Sequence, residues 1–580
     1  MPYLMPFLIV LSLLSMIAAF SERGRNRLLQ IRSVQIAETG LKRAKEWACL
    51  HEGLLFFALI AVGVFVRIYR FPELPRGQNQ DGTMAAVEAF CLIHDGVDHW
   101  GHSWPTYFEA WGGTQMSTLY SYIMIPLIRL AGMTKLSLRL PMLFVSIMSL
   151  LVIWDLAKRA LGREFGLLTL FVAALNPWQI LQSRWALEAN LMPHVMLFAV
   201  WLLYLGRYKR WALYLSMVFF GLTPYAYGVA TFVTPILLLP AAGYYLTRKY
   251  ARVWDIVLCA TIFLAVAGPY FLTLAIQAFD LPGMKIGPFS LPRFERTMRA
   301  MDIAFSAENP YQKMVSNFGS FLNQFLFNSY GANYNAIPWA HTMYPFAAFV
   351  YCPGLWLWWN SSRRNARTAE RILEETRAED LFRLTLFWLL GASVNGMLIP
   401  GMVNRQNAVF YPLMLLTAYG IFAAGKRLKL SALTVLLAFV VSFAGLCHTY
   451  FHDEEYQNSV AKTFHEGLQE ALTTTRDWDC DHYYLLGDAI TITQVMFAHE
   501  LDFSTISEEH DLPGLDGQPS GWYFNDRYIF VEEPDAFEPN PMDCAVYVFI
   551  RDWAYLFDET DYEISEFQGY CAAYPRYWLD

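Results

Sequence analysis

The chain has 580 residues, 55% of them hydrophobic and only 16% charged, with a formal net charge of -8. Apolar runs of bilayer-spanning length recur between short charged loops, which excludes a soluble globular protein and points to a polytopic helical membrane protein. The charge is unevenly spread: from Phe451 onward there are 28 acidic and 5 basic side chains, whereas the residues before it carry 38 basic and 23 acidic ones. Nucleic acid is excluded as a partner, because an acidic tail of this kind repels phosphates.

Residues 4–20 form the first apolar run, and its positive charges follow it: Arg23, Arg25, Arg27, Arg32, Lys42, Arg43 and Lys45. A signal peptide has the reverse order and a small-residue cleavage site. The run therefore reads as an uncleaved helix, N-terminus outside, with a cytoplasmic loop after it. Residues 54–69 then cross outward, and residues 140–157 return to Lys158, Arg159 and Arg163. The pairs 165–176 and 189–205, then 211–225 and 230–246, end at Arg207, Lys209 and Arg210 and at Arg248, Lys249 and Arg252. Residues 254–274 exit, and 343–359 re-enter before Arg363, Arg364 and Arg367. Residues 382–399 and 410–424 precede Lys426, Arg427 and Lys429, and 430–447 exit for the last time. About twelve spans place every basic cluster on one side, as the positive-inside rule requires.

This topology divides the chain into an N-terminal helix and basic loop (1–53), a membrane body (54–448) and an acidic soluble domain (449–580). Three segments of the body face outward: 71–135, 177–188 and 277–341. Within the first, residues 116–133 are apolar but broken by Pro126 and Arg129. They suit a helix lying at the interface, since a thirteenth crossing would reverse every later loop. In the tail, 457–473 has the period of an amphipathic helix and 483–486, 528–531 and 545–550 that of short strands, giving a small α/β domain. The eight cysteines include no CxxC pair or zinc spacing. Cys480, Cys544 and Cys571 lie in the tail, where one disulfide or a wholly reduced set is open.

The first outward loop is long, polar and aromatic, and such loops are seldom mere connectors. It holds Asp81, Glu88, Asp95, Asp98, His99, His102 and Glu109 among Trp100, Trp104 and Trp111. Arg184 and Glu188 stand four apart in the second outward segment, and Asn404-Arg405 precede Phe410 at a third outer edge. A carboxylate beside a lipid headgroup can take a proton from a hydroxyl or hold a divalent metal such as Mg or Mn. An arginine there can fork onto a phosphate. Each also has a plainer role: Arg184 and Glu188 as an intrahelical ion pair, Arg405 as an interface anchor, Asp81 as a helix cap. His94, His99 and His102 resemble zinc ligands in type, though loop histidines are usually not. Composition leaves an enzyme, a transporter or flippase for lipid-linked saccharides, and a non-catalytic scaffold all open.

Residues 71–81, Glu88-Ala89 and Asp98-His99-Trp100-Gly101 resemble the first outer loop of bacterial glycosyltransferases of the protein-mannosyltransferase and aminoarabinose-transferase type, family-39-like enzymes of GT-C fold. The resemblance continues through Ser137-Leu138-Arg139-Leu140-Pro141, Asn176-Pro177-Trp178, Ser183-Arg184-Trp185 and Leu187-Glu188-Ala189-Asn190. It resumes at Tyr334-Asn335-Ala336-Ile337-Pro338 and Asn404-Arg405, so it covers most of the membrane body. It implies a GT-C membrane bundle in the cell membrane, with its active site and tail outside. Such an enzyme moves a sugar from a polyprenyl-phosphate donor to an extracytoplasmic acceptor with inversion. By that resemblance Asp81 is the general base and Glu188 the second acidic residue, and both are candidates for a metal. Arg184 and Arg405 hold the donor phosphate, while Glu88, Asn404, Tyr334 and Asn335 support the site. The family's usual Asp-Glu is here Asp81-Gly82, so a metal on that pair would lack its second carboxylate.

Overall fold

The computed structural model describes residues 3–110, 114–294, 303–327, 332–361, 369–487, 490–506, 510–513, 519–532 and 537–578. Trp111 and the cluster Arg363, Arg364 and Arg367 lie outside the described residues. All twelve apolar runs are helical. Seven helices are long and apolar enough to span by themselves: Lys135–Leu161, Glu188–Leu205, Ala230–Thr247, Val253–Ala278, Glu375–Leu398, Val403–Arg427 and Lys429–His452. Two sharply bent pairs, Met5–Phe20 with Glu22–Leu29 and Arg32–Leu50 with Glu52–Ile68, raise the number to nine among the described residues. The chain is a multi-pass membrane protein. The other three runs, Arg163–Ala174, Arg210–Ala226 and Ala348–Ser361, are helices of 12, 17 and 14 residues. They reach about 18–26 Å at 1.5 Å per residue, short of a hydrocarbon core of about 30 Å. The apolarity of Arg163–Ala174 serves burial among neighbouring helices as much as contact with lipid.

Local rules explain the entry to the longest early span. Thr134 and Ser137 form a reciprocal cap, with Ser137 N–H donating to Thr134 Oγ1 at 3.2 Å and Thr134 N–H to Ser137 Oγ at 2.9 Å. Residues 116–133 give only a 13-residue helix, Leu119–Ala131, containing Pro126. The segment 277–341 carries a hairpin, Met284–Ile286 with Phe289–Leu291, and the helix Pro310–Phe327.

The tail folds as an α/β domain. Its seven-stranded sheet runs in the order Tyr562–Phe567, Tyr570–Pro575, Ala545–Ile550, His482–Leu486, Tyr528–Val531, Pro519–Phe524, His510–Pro513. His482–Leu486 pairs in parallel with both of its neighbours, and the outer strands are antiparallel. The single helix expected over 457–473 is instead two, Glu454–Thr463 and Leu468–Thr475. They are broken where His465 and Gly467 take φ values of 50° and 89°. That break carries Phe464 toward the membrane body. The helix-covered face of the sheet shares one hydrophobic core with the body, through Phe464, Val495 and Met496 of the tail and Met84 and Val87 of the first loop.

Candidate functional site

The loop face of the bundle, opposite the basic loops, is shaped by buried arginines that bind carbonyl oxygens. Arg139 donates to Pro72 O, Pro75 O and Gly77 O at 2.6–2.8 Å, which folds residues 72–77 back over the bundle. Arg184 is completely enclosed. Its guanidinium donates to Val66 O, Arg67 O, Tyr69 O and Arg70 O at 2.7–3.1 Å and to the Tyr450 hydroxyl at 3.2 Å. Those carbonyls end the Glu52–Ile68 helix, where partners within the helix run out and a cation suits the dipole. Arg184 is therefore occupied by architecture rather than open to a phosphate. It also lies in the turn before the Glu188–Leu205 helix, so it shares no helix face with Glu188.

Asp81 is half-buried in the first turn of the Gln80–His94 helix. Asn79, not Asp81, occupies the cap position, and its side chain reaches across to the second segment, with Nδ2 donating to Ala186 O at 2.7 Å. Gly82 makes the same contact closer. A Cβ there would lie 2.9 Å from both Ala186 Cβ and Asn79 Oδ1. Gly82 is thus the point where two helix N-termini meet. Glu188, buried in the first turn of the second helix, follows two residues after Ala186. Asn407 then ties this helix to the third segment, Nδ2 donating to Ala189 O at 2.5 Å. Gly82–Ala186 and Ala189–Asn407 contacts therefore bring the segments carrying Asp81, Glu188 and Arg405 together.

Arg405 sits in the short Val403–Gln406 helix, held by Asn395 Nδ2 donating to Arg405 O at 2.9 Å and Gln406 Nε2 to Ile399 O at 3.2 Å. It lines a cavity of about 450 Å³ as the only charged residue among the described residues of its wall. Tyr107, Tyr227, Phe232, Tyr270 and Phe294 supply the aromatic lining. Tyr107 packs edge-on against Tyr270 and Phe294, with ring centres 5.4 and 6.2 Å apart. The hydroxyl of Thr273, also on the wall, joins that of Thr106 at 2.6 Å. The volume and mainly apolar lining with one cation suit a small-molecule or lipid site. Beside Arg405, Asn404 Oδ1 is buried without a hydrogen-bond partner.

Tyr334 feels the Asp81 charge, and burial together with that carboxylate raises its phenol above the ordinary range. Its ring packs on Trp185 and on Phe464 of the tail, at 5.4 and 5.6 Å. Asn335 is buried and its side-chain oxygen accepts from Gln182 Nε2 at 3.3 Å. The tail closes over this region: Gln78 N–H donates to Phe464 O at 2.5 Å, and a Cβ on Gly77 (φ +77°) would lie 2.2 Å from that oxygen.

Glu88 and the histidines do other work. Glu88 Oε2 accepts from His99 N–H at 3.1 Å, and Oε1 meets His99 Nδ1 at 2.6 Å. Burial raises the Glu88 carboxyl and His99 opposes the shift. Asp98 accepts from the Trp100 and His102 N–H groups at 3.0 and 2.7 Å and meets His102 Nδ1 at 3.3 Å. His94 lies against Phe90. The three histidines thus have separate partners, and no group of three or more His, Cys, Asp or Glu among the described residues is arranged to hold a metal. Asp81 and Glu188 stand at helix N-termini, where the dipoles hold anions and oppose a cation. This donor set does not fit a closed Mg or Mn site.

The aromatic lining escaped sequence reasoning. The signal that could have found it is Tyr225-Ala226-Tyr227-Gly228, a short uncharged junction between two apolar runs.

The architecture is that of a membrane bundle with an aromatic cavity and a covering α/β domain, and the chain is similar to solved glycosyltransferases of GT-C fold. One is ArnT from Cupriavidus metallidurans bound to undecaprenyl phosphate, at 13% identity and TM-score 0.49, covering 91% of this chain and 98% of that one. A second is the oligosaccharyltransferase AglB from Archaeoglobus fulgidus in complex with an inhibitory peptide and a dolichol-phosphate, at 12% identity and TM-score 0.45, covering 78% and 64%. A third is arabinofuranosyltransferase AftD from Mycobacteria, at 11% identity and TM-score 0.37, covering 90% and 40%. No protein-family model and no curated protein matches the chain.

Proposed function

We propose that the chain is an inverting glycosyltransferase of the cell membrane that moves a sugar from a polyprenyl-phosphate donor to an extracytoplasmic acceptor. The observation that carries this is the aromatic cavity with Arg405 as the one charged residue among the described residues of its wall. A polyprenyl chain needs an apolar wall continuous with lipid, and its phosphate needs a cation at the membrane edge. In this reading Arg405, with Asn404 beside it, receives the donor phosphate. Arg184 takes no part in phosphate binding, because its donors are spent on carbonyls.

The acceptor hydroxyl oxygen attacks the anomeric carbon as the bond to the phosphate oxygen breaks. Its proton passes to Asp81, and polyprenyl phosphate leaves with one more negative charge, which Arg405 stabilises. The helix N-terminus under Asp81 favours the ionised carboxylate that accepts this proton. Glu188 orients the acceptor, Tyr334 lines the approach to Asp81, and Glu88 and Asn335 hold the loops that frame the site. No step runs through a metal. The body 54–448 performs the reaction, and the domain 449–580 roofs it at Phe464 and shields it from bulk water.

The test is polyprenyl phosphate release by purified protein from a panel of polyprenyl-phosphate sugars, with Asp81→Asn as control. Asp81→Asn should fold normally and lose about 10²–10⁴-fold in turnover; near-normal turnover would remove Asp81 from the mechanism.

A further inference from the structure

We infer that Cys480 and Cys544 form a disulfide that pins the start of the central strand of the C-terminal domain to its neighbour. The inference rests on the outward placement of that domain proposed above. His482 stands opposite Ala545 in the parallel pair. The Asp481 and His482 N–H groups both donate to Cys544 O, at 2.9 and 3.2 Å. Asp481 is therefore level with Cys544, and Cys480 is one residue further along. Strands about 4.8 Å apart with a rise of about 3.3 Å per residue would, if extended one residue past the strand end, leave the two Cα atoms about 5.8 Å apart. That separation falls within the range of about 4.4–6.8 Å that a disulfide spans.

Strict alternation along the strand would put Cys480 and Cys544 on opposite faces of the sheet. The chain bends at Asp481, and Cys480 instead packs against the helix-side core. Cys544 lies on that same side, its sulfur 3.8 Å from Asp479 O, the oxygen that also accepts from the Tyr574 hydroxyl at 2.9 Å. Each sulfur is within electrostatic reach of the Tyr574 phenol, and Cys544 within reach of Cys480. Both thiols are reduced in the structure.

Cys571 is a poor alternative. It pairs with Phe549 in the neighbouring strand, about 16 Å along that strand from Cys544, and it packs into the core on the other face of the sheet. The remaining five cysteines lie in helices of the N-terminal segment, the first loop and the membrane body. Closing the bond joins the two Sγ atoms and releases two protons and two electrons. The electrons pass to a disulfide-bearing thiol oxidant of the extracytoplasmic space, which becomes its dithiol.

The full-length protein, isolated without reductant and alkylated on unfolding, should yield a peptide cross-linked through Cys480 and Cys544. Cys480→Ser and Cys544→Ser should each abolish it, and Cys571→Ser should leave it intact. Reduction should lower the melting temperature of the wild type and leave both Ser variants unmoved. Alkylation of both cysteines by a membrane-impermeant maleimide on intact cells would overturn the disulfide while leaving the domain outside. Protection in intact cells, followed by alkylation after lysis without reductant, would overturn the outward placement and the disulfide with it.

Discussion

The link at 183–188 and the turn at 403–406 both set an arginine at the loop face of the bundle. In the link, Arg184 is enclosed, and four backbone carbonyls and a tyrosine hydroxyl use its guanidinium. In the turn, Arg405 is half-buried on the wall of an aromatic cavity, and it is the neighbouring carbonyls and amides that fix its backbone. One arginine completes the end of a helix; the other supplies charge to a space. Residue type is the same in both regions. What separates them is enclosure: the chain seals Arg184 in completely, whereas Arg405 borders a cavity.

The largest effect should come from Arg184→Ala. It leaves buried carbonyls without donors, at roughly 1–3 kcal/mol for each unsatisfied group. Little monodisperse protein should survive size-exclusion chromatography, and a well-folded variant that had lost only donor binding would exchange the roles of the two arginines. Arg405→Ala should remain folded and monodisperse. A polyprenyl phosphate should raise the melting temperature of the wild type and not that of the variant, since a charge-assisted contact of about 2–3 kcal/mol is gone. Gly82→Ala tests the contact that joins the Asp81 and Glu188 segments. It should cost roughly 1–3 kcal/mol by overpacking against Ala186, seen as a lower melting temperature.

The smallest effects are pH-dependent, and they separate the tail from the first loop. Burial holds His499 neutral, its value lowered to about 4. Its contribution is present above the ordinary histidine value of 6.5 and is lost as pH falls toward 4. His102 is raised above 6.5, chiefly by its hydrogen bond to Asp98. Its contribution is full below that value and is lost as pH rises through the folded-state value. Hydrogen-exchange protection should therefore weaken on acidification around His499 and on alkalinisation around 98–103.

Hydrophobic runs made the helical body legible, because burial in lipid and burial in protein both demand apolar helices. That same equivalence hid the span lengths: Arg163–Ala174 is as apolar as a span but only 12 residues long. The three central strands of the tail were legible from alternation. The break at His465–Gly467 was not, because it answers to a docking partner far away in sequence, the Gly77-Gln78 backbone. Asp81, Glu188 and Arg405 stood out as charges at loop edges, and their segments meet. Arg184 had the same signature, and only its three-dimensional neighbours distinguish a staple from a ligand. Gly82 looked like a lost carboxylate, yet it is the close contact that lets two helix ends meet.

The account stands or falls on release of polyprenyl phosphate from polyprenyl-phosphate sugars, measured at subsaturating donor for purified wild type and Arg405→Ala. Removal of a transition-state charge contact worth about 2–3 kcal/mol predicts release by the wild type at a rate on the order of 10²-fold above the variant. Equal release by the two proteins, or no release from any donor by folded wild type, would contradict it.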